Sequence, residues 1–224
     1  MNINPCKLPT KNSLRPRLGS LVAVLAIGLL LAASSARADL FYFTSDHCSG
    51  LCGPQTHFGS VLLLQNGADV DVTVTMFNGN KFVDTGAGMP FLFDDAGISL
   101  TDIINISSNS PKPLVAAVGG MADGTGTWDW GIACPTCNGG SDAFSGPISF
   151  TVLGTTLAEM EVGHAVTGFG IELFAADILS KNGKTGDVDV NTPPVSTPDS
   201  GTTASLLGLA MVGLAAFRTK FRKA

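Results

Sequence analysis

Four cysteines, three histidines and several close acidic pairs are the side chains in this 224-residue chain whose types and spacing could do chemistry. Cys48-Ser49-Gly50-Leu51-Cys52 and Cys134-Pro135-Thr136-Cys137 are two close thiol pairs. Two such pairs can hold zinc tetrahedrally, and His47 and His57 stand near the first. Cys134-x-x-Cys137 also has the spacing of a redox couple, which works best at a helix N-terminus that lowers the thiol pKa. Here the pair follows a strand-like run and leads into Asn138-Gly139-Gly140, so that support is missing. The remaining reading is two disulfides. With the export signals described below, an even number of surviving cysteines favours it, because exported thiols are oxidised. Local bridges, Cys48–Cys52 and Cys134–Cys137, are taken first, although sequence alone does not choose among three connectivities.

Ser45-Asp46-His47 contains the residue types of a hydrolytic triad, but neighbours on an extended chain point to opposite faces and cannot form the relay. The acids offer a better minor hypothesis. Asp69-x-Asp71, Asp94-Asp95, Asp123-x-Thr125 and Asp187-x-Asp189 supply hard oxygens of the kind calcium takes, yet none fits the twelve-residue EF-hand loop. Solvated acids at turns are the plainer account, and no cofactor is required. Trp128 and Trp130 share one face of a strand-like run. Such a pair can be a carbohydrate platform, but core packing is the simpler use.

The elements that must position these groups read as strands. Val70, Val72, Val74 and Met76 alternate with Asp71, Thr73 and Thr75, which places the two sets on opposite faces. Asn66-Gly67, just before, is a favoured pair for a tight hairpin back to Val61–Gln65. Further runs at residues 40–44, 81–83, 89–93, 98–106, 114–118, 127–133, 148–153 and 166–174 are separated by Gly-, Asn- or Asp-rich turns. About ten short strands in one domain imply an all-β fold of the β-sandwich or jelly-roll-like kind. Thr155 to Val162, or Ala175 to Leu179, is the one plausible helical piece.

Both ends read as processing segments. Lys7, Lys11, Arg15 and Arg17 precede an apolar stretch from Leu21 to Ala33, and Ala36-Arg37-Ala38 places small residues where a signal peptidase needs them. Residues 1–38 are thus a signal peptide, cut before Asp39, which also removes Cys6. Residues 39–180 form the all-β extracytoplasmic domain, and 181–196, rich in Gly, Asp, Thr and Pro, form a spacer. Between residues 39 and 198, four Lys/Arg stand against seventeen Asp/Glu. So acidic a surface repels phosphates and argues against a nucleic-acid partner.

At the far end Thr197-Pro198-Asp199-Ser200-Gly201 is followed by an apolar run, Ala204 to Phe217, and then by Arg218, Lys220, Arg222 and Lys223. A helix over 202–217 could just cross a thin membrane, with the basic cluster kept on the cytoplasmic side. The whole, residues 197–224, resembles the PEP-CTERM class of sorting signals in its VPDSG variant, with Thr197 where the usual form has Val. The resemblance implies a Gram-negative envelope and a membrane protease, exosortase, that recognises this tail. The protein would be its substrate, not an enzyme. It also implies association with exopolysaccharide or a biofilm matrix, at the cell surface or outside it.

Overall fold

Alternation builds the first sheet. Val70, Val72, Val74 and Met76 are buried while Asp71, Thr73 and Thr75 are only half covered. In the computed structural model, which describes residues 37–48, 51–86, 88–197 and 211, seventeen strands follow one another. They are β1 (Ala38–Phe43), β2 (Ser45–Asp46), β3 (Gly59–Asn66), β4 (Asp69–Met76), β5 (Lys81–Phe82), β6 (Phe91–Phe93), β7 (Ile103–Ser107) and β8 (Val115–Val118). Then come β9 (Met121–Ala122), β10 (Gly126–Thr127), β11 (Trp130–Ala133), β12 (Ile148–Val152), β13 (His164–Val166), β14 (Gly170–Glu172), β15 (Phe174–Leu179), β16 (Thr185–Val190) and β17 (Val195–Thr197). A short α-helix, α1 (Leu157–Met160), is started by a capping box in which Thr156 and Glu159 bond each other's backbone amides.

Two antiparallel sheets carry the fold. The first runs β17-β1-β3-β4-β12-β7, and the second β2-β16-β15-β6-β11-β8, with β5 also on β15. Their inner faces share one core. Phe41 of β1 meets Phe174 of β15 edge-on at 5.1 Å, and Phe150 of β12 packs on Phe91 and Phe93 of β6 at 5.8 and 5.6 Å. The all-β expectation therefore holds, as two sheets stacked on an aromatic layer.

Four local readings are corrected. The β3–β4 turn is centred on Gly67 and Ala68, since Asn66 pairs with Asp69. Of these two, Gly67 alone takes positive φ, +67°, so the turn needs a glycine first rather than Asn-Gly in the centre. Register outranks turn preference here, because a one-residue slip would expose Val70, Val72 and Val74. Ala175 to Leu179, a possible helix by sequence, is the body of β15; flanked by β16 and β6, it is covered on both faces. The single strand expected over 166–174 is instead a small hairpin, β13–β14, followed by the start of β15.

The fourth correction concerns the spacer. Residues 181–196 contain β16, which lies inside the second sheet between β2 and β15, with all residues from Gly186 to Val190 buried. The folded domain thus runs past residue 180 as far as Thr197. Its acids hid this strand, because three polar residues in six look like a linker. Pro193 and Pro194 do exclude a central strand, and β17 beyond them is an edge strand. Residues through Ala36, expected to belong to a signal peptide, and the tail from Pro198, apart from Met211, lie outside the described residues.

Candidate functional site

Alternation in β15 and β16 sends Phe174, Ala176, Ile178, Val188 and Val190 into the main core. Ala175, Asp177, Asp187 and Asp189 must then point to the outer face of the second sheet. That face is roofed. Ala175 packs with Leu92, Ala122 and Trp128 in a second, smaller cluster. Ala122 belongs to the β9–β10 hairpin and Trp128 follows it, so this hairpin is part of the roof.

Two histidines pin the hairpin down. His47 donates from Nε2 to Asp189 Oδ2 at 2.5 Å, and its ring leaves no space for a Cβ at Gly124 in the hairpin turn. Phe169, from the β13–β14 turn, packs edge-on against the same ring at 4.8 Å. His164 bonds Asp94 Oδ2 through Nδ1 at 2.6 Å and the Thr125 carbonyl through Nε2 at 2.8 Å. Its ring also abuts Gly126 and meets Trp128 at 4.5 Å. His57 is exposed and stacks on Tyr42 at 4.5 Å.

His164 lines an open cleft of about 480 Å³ together with Asp94, Asp95, Asp129, Glu159 and Thr127. A histidine–aspartate pair in a cleft invites a hydrolytic reading, but Nε2 faces a backbone carbonyl where a nucleophile would have to stand. Asp94 also accepts from the Asp129 amide, and Asp95 accepts from the Gly97 amide and the Thr155 hydroxyl. These side chains hold loops together. Asp69 and Asp71 do likewise, taking the Gly154 amide and the Thr151 hydroxyl.

The acids on the roofed face differ. Asp177, Asp187, Asp189 and Glu172 are all fully buried. Asp177 and Asp187 are cross-strand partners. Burial, then the charge of Asp177, pushes the Asp187 carboxyl up to about 8 against the pull of the Asp123 amide, with the charges of Asp123 and Asp189 adding to it. Burial also raises Asp177 to about 6, against the pull of two hydrogen bonds from Thr85. Glu172 rises to about 8 through burial and the neighbouring Asp189. Sequence reasoning singled out Asp187 and Asp189 but missed Asp177 and Glu172. The available signal was an acid inside the apolar run Phe174–Leu179.

Cys48 is bonded to Cys52 and Cys134 to Cys137, with Cα separations of 5.4 and 5.3 Å, so the local pairing is the one observed. Among the described residues, one set of three metal-ligand types lies within 4.8 Å, Asp46, Cys48 and Cys52. Its two sulfurs are joined to each other, which removes them as zinc ligands. Trp128 is buried and donates to Thr125 Oγ1, and Trp130 donates to the Asp95 carbonyl. Both therefore serve packing rather than a carbohydrate platform.

The expected signal-peptide cut and the start of the sorting motif meet at one sheet edge. Ala38 opens β1 and Asp39 follows, while Thr197, the first residue of the pentapeptide, closes β17. Beyond it, a family model described as the VPDSG-CTERM motif matches residues 198–221. The tail is a VPDSG-CTERM signal. It is of the PEP-CTERM type, and it implies export and processing at the membrane by an exosortase-like enzyme. Pro198, Asp199, Ser200 and Gly201 of the VPDSG-CTERM motif follow Thr197 directly, so no free linker separates motif from sheet. Among the described residues no helix is long and apolar enough to cross a membrane, and the helix expected over 202–217 falls outside them except for Met211. No curated protein and no solved structure matches this chain.

Proposed function

We propose that this is an exported, exosortase-sorted protein of the cell surface or extracellular matrix, with a structural role in association with exopolysaccharide. The observation that carries the reading is the VPDSG-CTERM match at residues 198–221. Signal peptidase and the exosortase-type protease are its processing partners, and the mature product is not an enzyme. Support for the last point comes from His164, whose two nitrogens are both engaged, and from His47, tied to Asp189 beneath the hairpin. The two disulfides suit an oxidising exterior.

Intact-mass analysis of protein from producing cells tests the processing. The mature species is expected to begin at Asp39 and to lack Arg218 to Ala224. A mature species that keeps those residues would reduce the tail to a plain anchor. Co-fractionation with exopolysaccharide, lost on enzymatic removal of the polysaccharide, tests the matrix role.

A further inference from the structure

Asp187 and Asp177 lie beneath the β9–β10 hairpin, and Asp123 stands at its tip. Asp187 is fully buried, and neither of its oxygens has a hydrogen-bond partner. The Asp123 amide leans toward it without reaching hydrogen-bond geometry. Asp177, its cross-strand partner, uses Oδ2 for the Thr85 amide and hydroxyl at 2.8 and 2.6 Å, which leaves Oδ1 buried and unpartnered. Asp123, exposed at the hairpin tip, supplies a third acidic side chain whose charge acts on Asp187. Gly88 closes the other side, where a Cβ would overlap the Asp187 carboxylate.

Among the described residues no cation is paired with these charges. His47 is committed to Asp189, and the lysines of the second half, Lys181 and Lys184, are exposed. Burying carboxylates without a counter-charge or donors is costly. A cleft of about 310 Å³ lined by Gly86, Met121, Ala122, Asp123 and Gly124 opens beside the hairpin tip. A second, of about 230 Å³, is lined by Asp84, Gly86, Gly88 and Met121 among others.

We propose that Asp187, Asp177 and Asp123 bind a hard divalent cation, calcium, between the outer face of the second sheet and the hairpin tip. Sequence placed Asp123 with Thr125 and Asp187 with Asp189, two separate oxygen-bearing pairs; the fold makes Asp123 and Asp187 neighbours. Oxygen-only carboxylate ligands suit calcium, which accepts six to eight oxygens in flexible geometry. The three carboxylates are not yet within one coordination sphere. Asp123, on an exposed turn, is the member able to close on the ion, so binding also fastens the hairpin. The buried face thereby gains a role that the sorting signal does not supply.

Thermal unfolding and isothermal titration of the exported protein with calcium chloride test this, with sodium chloride at equal ionic strength as the control. Calcium is expected to raise the melting temperature beyond the sodium effect. Asp123→Asn, at an exposed position, is expected to keep the calcium-free melting temperature and to weaken calcium binding roughly tenfold. Asp187→Asn is expected to abolish binding while folding at least as well without calcium, since it removes a buried charge. Asp129→Asn, in the His164 cleft, is expected to bind like wild type. Equal effects of sodium and calcium, or wild-type calcium binding by both Asp123→Asn and Asp187→Asn, would overturn the site. The carboxylates would then hold protons instead.

Discussion

Ala38 and Thr197 are cross-strand partners in the β1–β17 pair. The first precedes the bond expected to be cut by signal peptidase, and the second opens the sorting pentapeptide. Asp39 faces Ser196, and Leu40 faces Val195. The expected N-terminal cut and the sorting signal therefore depart from adjacent positions of one sheet, although 159 residues, Asp39 to Thr197, lie between Ala38 and Pro198 along the chain. Pairing at this edge couples them mechanically.

That coupling is testable at Ser196. Proline there removes a backbone donor beside β1. Ser196→Pro is expected to cost about 1 kcal/mol, the net value of one hydrogen bond, read as a lower urea midpoint of the full chain. An unchanged midpoint would show that β17 adds nothing to the domain.

Both cysteine pairs are bridged, so alkylation under denaturing, non-reducing conditions is expected to modify none of Cys48, Cys52, Cys134 and Cys137. Each bridge closes a very short loop. Replacing either pair by alanine should cost about 2 kcal/mol on the chain-entropy account. Stoichiometric zinc with four alkylatable thiols would reverse the assignment.

Glu172 gives stability a pH dependence. Its folded-state value is about 8, raised from 4.5 by burial first and by Asp189 second. A raised carboxyl binds its proton more tightly in the folded state. Its contribution is therefore complete below the unfolded value and disappears as pH climbs toward the folded one. Urea midpoints of the calcium-free protein are expected to fall between pH 5 and pH 8, and Glu172→Gln should flatten that slope. A Glu172→Gln profile as steep as that of the wild type would remove Glu172 as the cause.

What was legible in sequence was local. The alternation from Val70 to Met76, the apolar runs of β3, β6 and β12, and the turn glycines specified strands, because a strand with one buried face writes its period into the chain. The sorting signal was equally plain, since its recognition rests on a contiguous motif, an apolar run and a charge cluster. The cysteine pairs could be narrowed by spacing and compartment, and the observed bridges are the local ones.

The second sheet was decided by tertiary structure. β16 carries Asp187 and Asp189 on a face that sequence assigns to water, and the roof to which the β9–β10 hairpin belongs makes that face an interior. β15 lost its period because both of its faces are covered, so Ala175 to Leu179 carried no strand signal of its own. His47 and His164 likewise acquire their roles from Asp189, Asp94 and the hairpin, partners 142, 70 and 39 residues away or more in the bonds they make. Contacts of that range leave no spacing rule in the chain. Composition could set the charge of this domain, but only folding determined which carboxylates would be denied water, and there the unmet charge of Asp187 arises.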